Sequence, residues 1–389
     1  MKYDFDAVIP RKNTNSFKYD FARELGQPPE AIPMWVADMD FPVPAEVTAR
    51  LEELVRHGIY GYSESKEDYF EAVKNWFKDH FGFEVQAEWL VKTSGVVFAL
   101  AMAVRSLTAP GDKIIIQEPV YPPFAKKVLA NGRELVINDL ILENGRYQID
   151  LDDFARKVKE NDVKMFILCN PHNPVGRVWS REELTALGRI CVDNGCLVLS
   201  DEIHCDFVRP GHRHLFFASL DPAFLEISVT CTAPSKTFNL AGLQASNIFI
   251  PNPKLREAFS SEIDRCGAWG LNTAGLVACQ AAYSHGQEWL TQLKAYLESN
   301  LGLLKGFLAV HIPQIKLIEP EGTYLAWLDF RALGQDPQKL NHYLSEMAGV
   351  WLDDGLKFGP GGAGFQRMNL ACPRPVLEKA LGRLKDRLS

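Results

Sequence analysis

Four short apolar runs do most to limit what this chain can fold into. Lys113–Gln117, Lys164–Cys169, Cys196–Ser200 and Ile227–Cys231 are apolar almost throughout, rich in β-branched side chains, and do not alternate with polar residues. A strand of that kind is buried on both faces. Shorter candidates lie at Glu134–Ile137 and Ala245–Ile250, and helical segments separate the runs. The clearest of these helices, from Ser180 to about Asn194, opens with the Ser-x-x-Glu capping box Ser180–Glu183. The pattern predicts an α/β fold: a mostly parallel central sheet with helices on both faces. Ligands of such sheets bind beyond the carboxyl ends of the strands. Tyr121, Asn173, Asp201 and Lys236 all fall just past such ends, so one edge of one sheet is expected to carry the chemistry.

Lys236 stands in Ser-Lys-Thr-Phe-Asn-Leu-Ala-Gly-Leu, residues 235–243. Lysines beside a Pro-Ser turn such as Pro234-Ser235 are ordinarily solvated. Here Phe238, Leu240 and Leu243 surround the amine with apolar groups, which disfavours the ammonium and lowers its pKa. A desolvated lysine is suited to a Schiff base with an aldehyde. Lys92-Thr93-Ser94-Gly95 leads into an apolar helix over Val96–Val104. Ser94 is the expected N-cap, Gly95 allows close backbone approach, and the free N–H groups of the first turn form an anion seat.

The flanks differ in character. Residues 1–44 are irregular, and in Met34–Pro42 the acids Asp38 and Asp40 either line a pocket or cap turns of a packed arm. Helices are expected from Pro44 to about His57 and from about Lys66 to His80, separated by Gly58-Ile59-Tyr60-Gly61-Tyr62. Beyond about residue 285 come a long helix (287–309), a strand (322–329), a helix (337–348), a strand over 365–371 and a last helix. The expected division is a large ligand-binding domain over 45–285 and a smaller α+β domain made of 1–44 and 286–389.

Composition excludes several classes. The chain has 389 residues and a formal net charge of −7, without the basic face a nucleic-acid partner requires. No apolar run is long enough for a bilayer span, and Met1–Asp6 carries acids where a signal peptide is apolar. A cytoplasmic protein with no membrane partner is expected. The eight cysteines are scattered without a C-x-x-C pair and read as reduced core thiols. Gly359–Gly364 spells a dinucleotide fingerprint but precedes a strand instead of a helix, so it is read as a loop leading to Arg367. His212, His214 and the Asp201/His204 pair lack a third metal ligand at useful spacing. The remaining tryptophans and methionines are assigned to the core.

Taken together, the edge residues supply an amine, an acid, amide and imidazole donors, a flat ring and a phosphate seat. Pyridoxal phosphate needs all of these. Three motifs carry a resemblance: Asn-Pro-His-Asn-Pro-x-Gly-Arg at 170–177, Ser-Asp-Glu-Ile-His at 200–204 and Ser-Lys-Thr-Phe-Asn-x-Ala-Gly at 235–242. The chain resembles fold-type I pyridoxal-phosphate enzymes of the class I/II aminotransferase superfamily. Trp-Val-Ala-Asp-Met-Asp-Phe at 35–41 is similar to the branch of cystathionine β-lyases and cysteine-S-conjugate β-lyases.

The resemblance implies roles. Lys236 would form the Schiff base, Asp201 would pair with the pyridine nitrogen, Asn173 and His204 with the ring oxygen, and Tyr121 would stack on the ring. Gly95 and Val96 would hold the phosphate, helped by Ser235 or Thr232. Tyr60 would reach the phosphate of a neighbouring subunit, which implies a homodimer with active sites at its interface. Arg367 would grip the substrate carboxylate, with Asn173 and Asp38 also on the substrate. Two positions depart from the superfamily pattern, Ala233 for a hydroxyl residue and Gln244 for an arginine, and both concern the phosphate. The implied reaction is α,β-elimination from L-cystathionine or a related cysteine thioether to thiol, pyruvate and ammonia. An aminotransferase is the alternative, separated from it only by the branch resemblance. A fold kept for binding alone would not need Lys236, Asp201 and Arg367 together.

Overall fold

The computed structural model describes residues 2–388. Its largest sheet has seven strands: β1 (Leu90–Thr93), β2 (Lys113–Glu118), β3 (Glu134–Asp139), β4 (Met165–Cys169), β5 (Leu197–Asp201), β6 (Ser228–Thr232) and β7 (Ser246–Phe249). Their spatial order is β1-β7-β6-β5-β4-β2-β3. Every pairing from β6 across to β3 is parallel. β7 runs antiparallel to both β6 and β1, so β1 points the same way as the parallel set. The chain passes from β6 to β7 through the lysine segment, residues 233–245.

Successive residues of a strand face opposite sides, and the apolar runs use both. Ile114, Ile116, Met165, Ile167 and Leu199 pack with helix Val96–Leu107, Phe124 and Phe259. Ile115, Phe166, Leu168 and Val198 pack the other way, against Phe154, Leu184, Leu187 and Cys191. The expected capping box at Ser180 and Glu183 is present, opening helix Arg181–Asp193.

A second, antiparallel sheet contains β8 (Lys316–Ile318), β9 (Leu325–Asp329), β10 (Asp353–Asp354) and β11 (Phe365–Asn369), in the order β8-β9-β11-β10. The N-terminal arm joins this part of the molecule where Ile32–Pro33 pairs with Val350–Trp351. Helix Gln287–His311 serves both cores. Trp289, Leu290, Leu293 and Leu297 enter the core beside the large sheet, and Leu301, Leu304 and Leu308 enter the core of the small one. Their i, i+3, i+4 spacing keeps one stripe apolar along the whole helix.

Several local expectations are corrected. Ile227 closes a short helix, Pro222–Ile227, and β6 begins only at Ser228. Lys236 lies in a helical turn, Pro234–Thr237, with proline at its start, where the missing N–H and fixed φ suit a helix. Gly322 to Tyr324 precede the strand instead of opening it: Thr323 adopts φ 66° and its N–H donates to Phe207 O at 2.7 Å. Trp269 and Met347 are exposed, not core. Seven cysteines are buried, Cys266 is exposed, and all eight are free. Among the described residues no helix is long and apolar enough to cross a membrane, and no cluster of side chains could hold a metal.

Candidate active site

The carboxyl edge of the large sheet opens into a cavity of about 400 Å³. Tyr121 reaches it from beyond β2, Asn173 from beyond β4, Asp201 from the last position of β5 and Lys236 from beyond β6. Beyond β1 stand Ser94, Gly95 and Val96, at the start of helix Val96–Leu107. His204, Ser235, Gln244 and Arg367 also line it. The edge predicted from the apolar runs is therefore where these groups meet. A second cavity of similar volume, between Phe207 and Leu297, gathers no comparable set.

Trp35, Val36 and Ala37 roof the cavity, and the segment they begin, 35–41, is held through its backbone. Trp35 O accepts from Arg367 Nη2 at 2.9 Å, and Val36 O and Asp38 O both accept from Asn369 Nδ2 at 2.6 Å. Ala37 O accepts from Lys236 Nζ at 2.6 Å and from the Tyr324 hydroxyl at 3.0 Å. The Asn239 side chain brackets Met39, accepting from its N–H and donating to its carbonyl. The acids of this segment neither line the cavity nor cap turns. Asp38 pairs with Arg11 at 2.7 Å, and Asp40 pairs with Arg11 at 2.7 Å and Lys18 at 2.8 Å. Asp38 is thus removed from the expected substrate contacts, although its charge still acts on Lys236.

Lys236 is half-buried, with its amine turned inward onto Ala37 O, and desolvation of that amine is the chief reason its pKa falls from 10.5 to about 8. The nearby Arg367 charge lowers it further, while Asp38 and Asp201 pull the other way. Asp201 is raised to about 7, again mainly by burial, with the Lys236 charge opposing. The hydrogen bond to its carboxylate comes from Ile203 N at 3.2 Å, so the acid lacks a full set of partners. Burial, with Lys236 and Arg367 adding, holds His204 well below its usual pKa and therefore neutral. Its Nδ1 is buried without a hydrogen-bond partner among the described residues. Tyr121 is pushed to about 12 by burial and then by Asp201.

The anion seat differs from expectation in one detail. Gly95, not Ser94, is the N-cap, at φ 130° with no side chain capping the first turn. That φ lies where glycine is favoured, and it leaves the first-turn N–H groups to a ligand. Thr232 is not part of the site: its hydroxyl is buried and donates to Asn247 O at 2.7 Å. Tyr60 is exposed and outside this chain's cavity. Phe17, Phe98 and Asp353 line the wall without having been anticipated. Phe17 sits in a polar arm and carries no periodic signal; Asp353 is adjacent only through the pairing of β10 with β11.

These residues fit pyridoxal phosphate. An acid short of a cation, an orphaned imidazole nitrogen, an uncapped helix start and a desolvated amine surround one cavity. The fold and this edge define a class, and the chain belongs to it: it is a member of the aminotransferase class I and II family, matching over residues 34–384. Within that class it is 45% identical over 386 residues to cystathionine β-lyase PatB of Bacillus subtilis strain 168, covering 99% of this chain and 100% of that one. Cystalysin from Treponema denticola, crystallised with a pyridoxal 5′-phosphate cofactor, superposes with a TM-score of 0.96 at 38% identity, over 100% of this chain and 99% of the other. The pyridoxal-phosphate-bound C–S lyase from Staphylococcus hominis gives 0.93 at 36% identity, over 100% and 98%.

Proposed function

We propose that this protein is a pyridoxal-phosphate-dependent C–S β-lyase that cleaves L-cystathionine or a related cysteine thioether to thiol, pyruvate and ammonia. The observation that carries this reading is the convergence of Lys236, Asp201 and Arg367 on one cavity, in a chain similar over its whole length to a cystathionine β-lyase. That similarity favours elimination over the aminotransferase alternative.

Lys236 would hold the cofactor through its amine and, when that amine is free, would move the proton at the substrate's Cα. A pKa of about 8 leaves roughly a tenth to a half of such an amine neutral between pH 7 and 8, a useful range for a base. Asp201 would pair with the ring nitrogen; a buried carboxylate is costly without a cation, and a protonated ring would supply one. Asn173 and His204 would hydrogen-bond the ring oxygen and Tyr121 would cover the ring. Gly95, Val96 and Ser235 would hold the phosphate, and Arg367 would take the substrate carboxylate through its planar fork. When bound, the cofactor supplies the electron sink that lets a thiolate leave from Cβ.

We also read the protein as a cytoplasmic homodimer. Val55, Ile59, Tyr60, Tyr62 and Trp269 are large, apolar and exposed, with the Tyr62 and Trp269 rings 6.4 Å apart. A second copy covering this surface would bring Tyr60 toward its phosphate seat. The test of the activity is direct. L-Cystathionine without added keto acid should yield pyruvate and thiol in equal amounts; turnover that requires a keto acid and frees no thiol would favour the aminotransferase.

A further inference from the structure

The arginine assigned to the substrate carboxylate already holds a carboxylate. One Nη2 hydrogen of Arg367 is donated to Trp35 O at 2.9 Å and the other to Asp353 Oδ2 at 2.6 Å. Nη1 donates to Asn173 Oδ1 at 2.9 Å, and Nε is buried with no partner among the described residues. A guanidinium offers a carboxylate two forked edges, Nη1/Nη2 and Nε/Nη2, because the side chain blocks the third. Both edges include Nη2, and both of its hydrogens are taken. An incoming carboxylate can grip Arg367 with two hydrogen bonds only if Trp35 O or Asp353 lets go.

Trp35 O belongs to the roof, whose neighbouring carbonyls are all tied down. Asp353 is a side chain with a second cation in reach. Its Oδ1 accepts from Lys357 Nζ at 3.1 Å, and the half-exposed Lys357 ammonium lies 5.6 Å from the ring of Trp35, which lines the cavity. Asp353 can therefore leave Arg367 and remain paired. Exchanging one carboxylate for another also spares Arg367 an interval as a buried, uncompensated charge.

We propose that Asp353 is a specificity-determining place-holder: it occupies the carboxylate seat of Arg367 and yields it to the substrate's α-carboxylate by shifting onto Lys357. This rests on the reading of Arg367 as the substrate's carboxylate partner. The place-holder selects for ligands that carry a carboxylate, since a decarboxylated amine has nothing to exchange for Asp353. It also lowers apparent affinity by the fraction of molecules in which Arg367 is engaged.

The test uses the holoenzyme and 3-(methylthio)propionate, the counterpart of S-methylcysteine without its amine, with the dissociation constant read by calorimetry. Asp353→Asn should tighten binding by about tenfold, the factor by which the competing carboxylate is expected to depress it. Lys357→Met should weaken binding several-fold in the wild-type background and change nothing when combined with Asp353→Asn. A merely structural role for Asp353 predicts loss in both single variants. Arg367→Met tests the underlying reading separately. If it leaves binding intact, Arg367 is not the carboxylate seat and the reading falls. If it abolishes binding while Asp353→Asn binds no more tightly than wild type, the place-holder is overturned. Should Asp353→Asn not fold, Asp353→Ser takes its place in the same comparison, and binding no tighter than wild type refutes the proposal.

Discussion

Burial of Lys236 should appear in the pH dependence of stability, separately from catalysis. In the cofactor-free protein its pKa is about 8, against an ordinary 10.5. Between these values the unfolded chain holds the proton that the folded protein has released. Stability must then rise with pH across that window, because the unfolded state binds more protons. The cost of carrying this ammonium into the fold is about 3 kcal/mol at pH 7, about 2 kcal/mol at pH 9 and a few tenths at pH 10.5. Lys236→Met removes the titration and keeps the volume of the side chain. It also removes the bond to Ala37 O, which shifts the variant by an amount that varies little with pH. Urea unfolding of both proteins from pH 7 to 10.5 isolates the term by difference. The stability of wild type relative to the variant should improve by about 3 kcal/mol over the range, with most of the change above pH 8. Two parallel curves would refute the reasoning, since they would mean that the amine is solvated in the folded protein.

Other perturbations have definite signs. Asp201→Asn should lower the rate of pyruvate release from a cysteine thioether by at least about a hundredfold, the scale for removing a preorganised charge from a site, with thermal stability nearly unchanged. Glu321 accepts from Arg146 Nε at 2.7 Å, Arg177 Nε at 2.9 Å and Val178 N at 2.9 Å; Glu321→Gln should cost about 2 kcal/mol in urea unfolding, because it leaves the buried Arg177 with Glu183 as its one remaining carboxylate. Gly188→Ala places a methyl group inside the Phe224 ring and should cost about 1–3 kcal/mol. Gly306→Ala, in open space on helix Gln287–His311, should add about 0.5–1 kcal/mol in the same assay.

The sheet edge was legible because strands buried on both faces leave continuous apolar runs, and the run's end marks where the chemistry sits. Tyr121, Asn173, Asp201 and Lys236 were found in that way, and their common cavity followed from the parallel pairing. The direction of β7 was not legible, since one strand's composition does not record its orientation. The role of the roof was also hidden. Residues 35–41 act through their carbonyls, which any residue provides, while the charges of Asp38 and Asp40 are satisfied by Arg11 and Lys18 of the arm. Asp353 was missed for a similar reason: nothing in Leu-Asp-Asp-Gly points to an arginine fourteen residues later, and only the register of β10 against β11 brings them together. Thr232 was proposed for the phosphate from the resemblance alone, and its hydroxyl is spent on β7.

The most direct check is chemical. Purified protein supplied with pyridoxal phosphate is reduced with borohydride, digested, and mapped by mass spectrometry. A phosphopyridoxyl mass on the peptide carrying Lys236, absent from Lys236→Ala, is the expected result. An unmodified Lys236, with the label elsewhere or nowhere, would contradict the assignment of this cavity as the cofactor's seat.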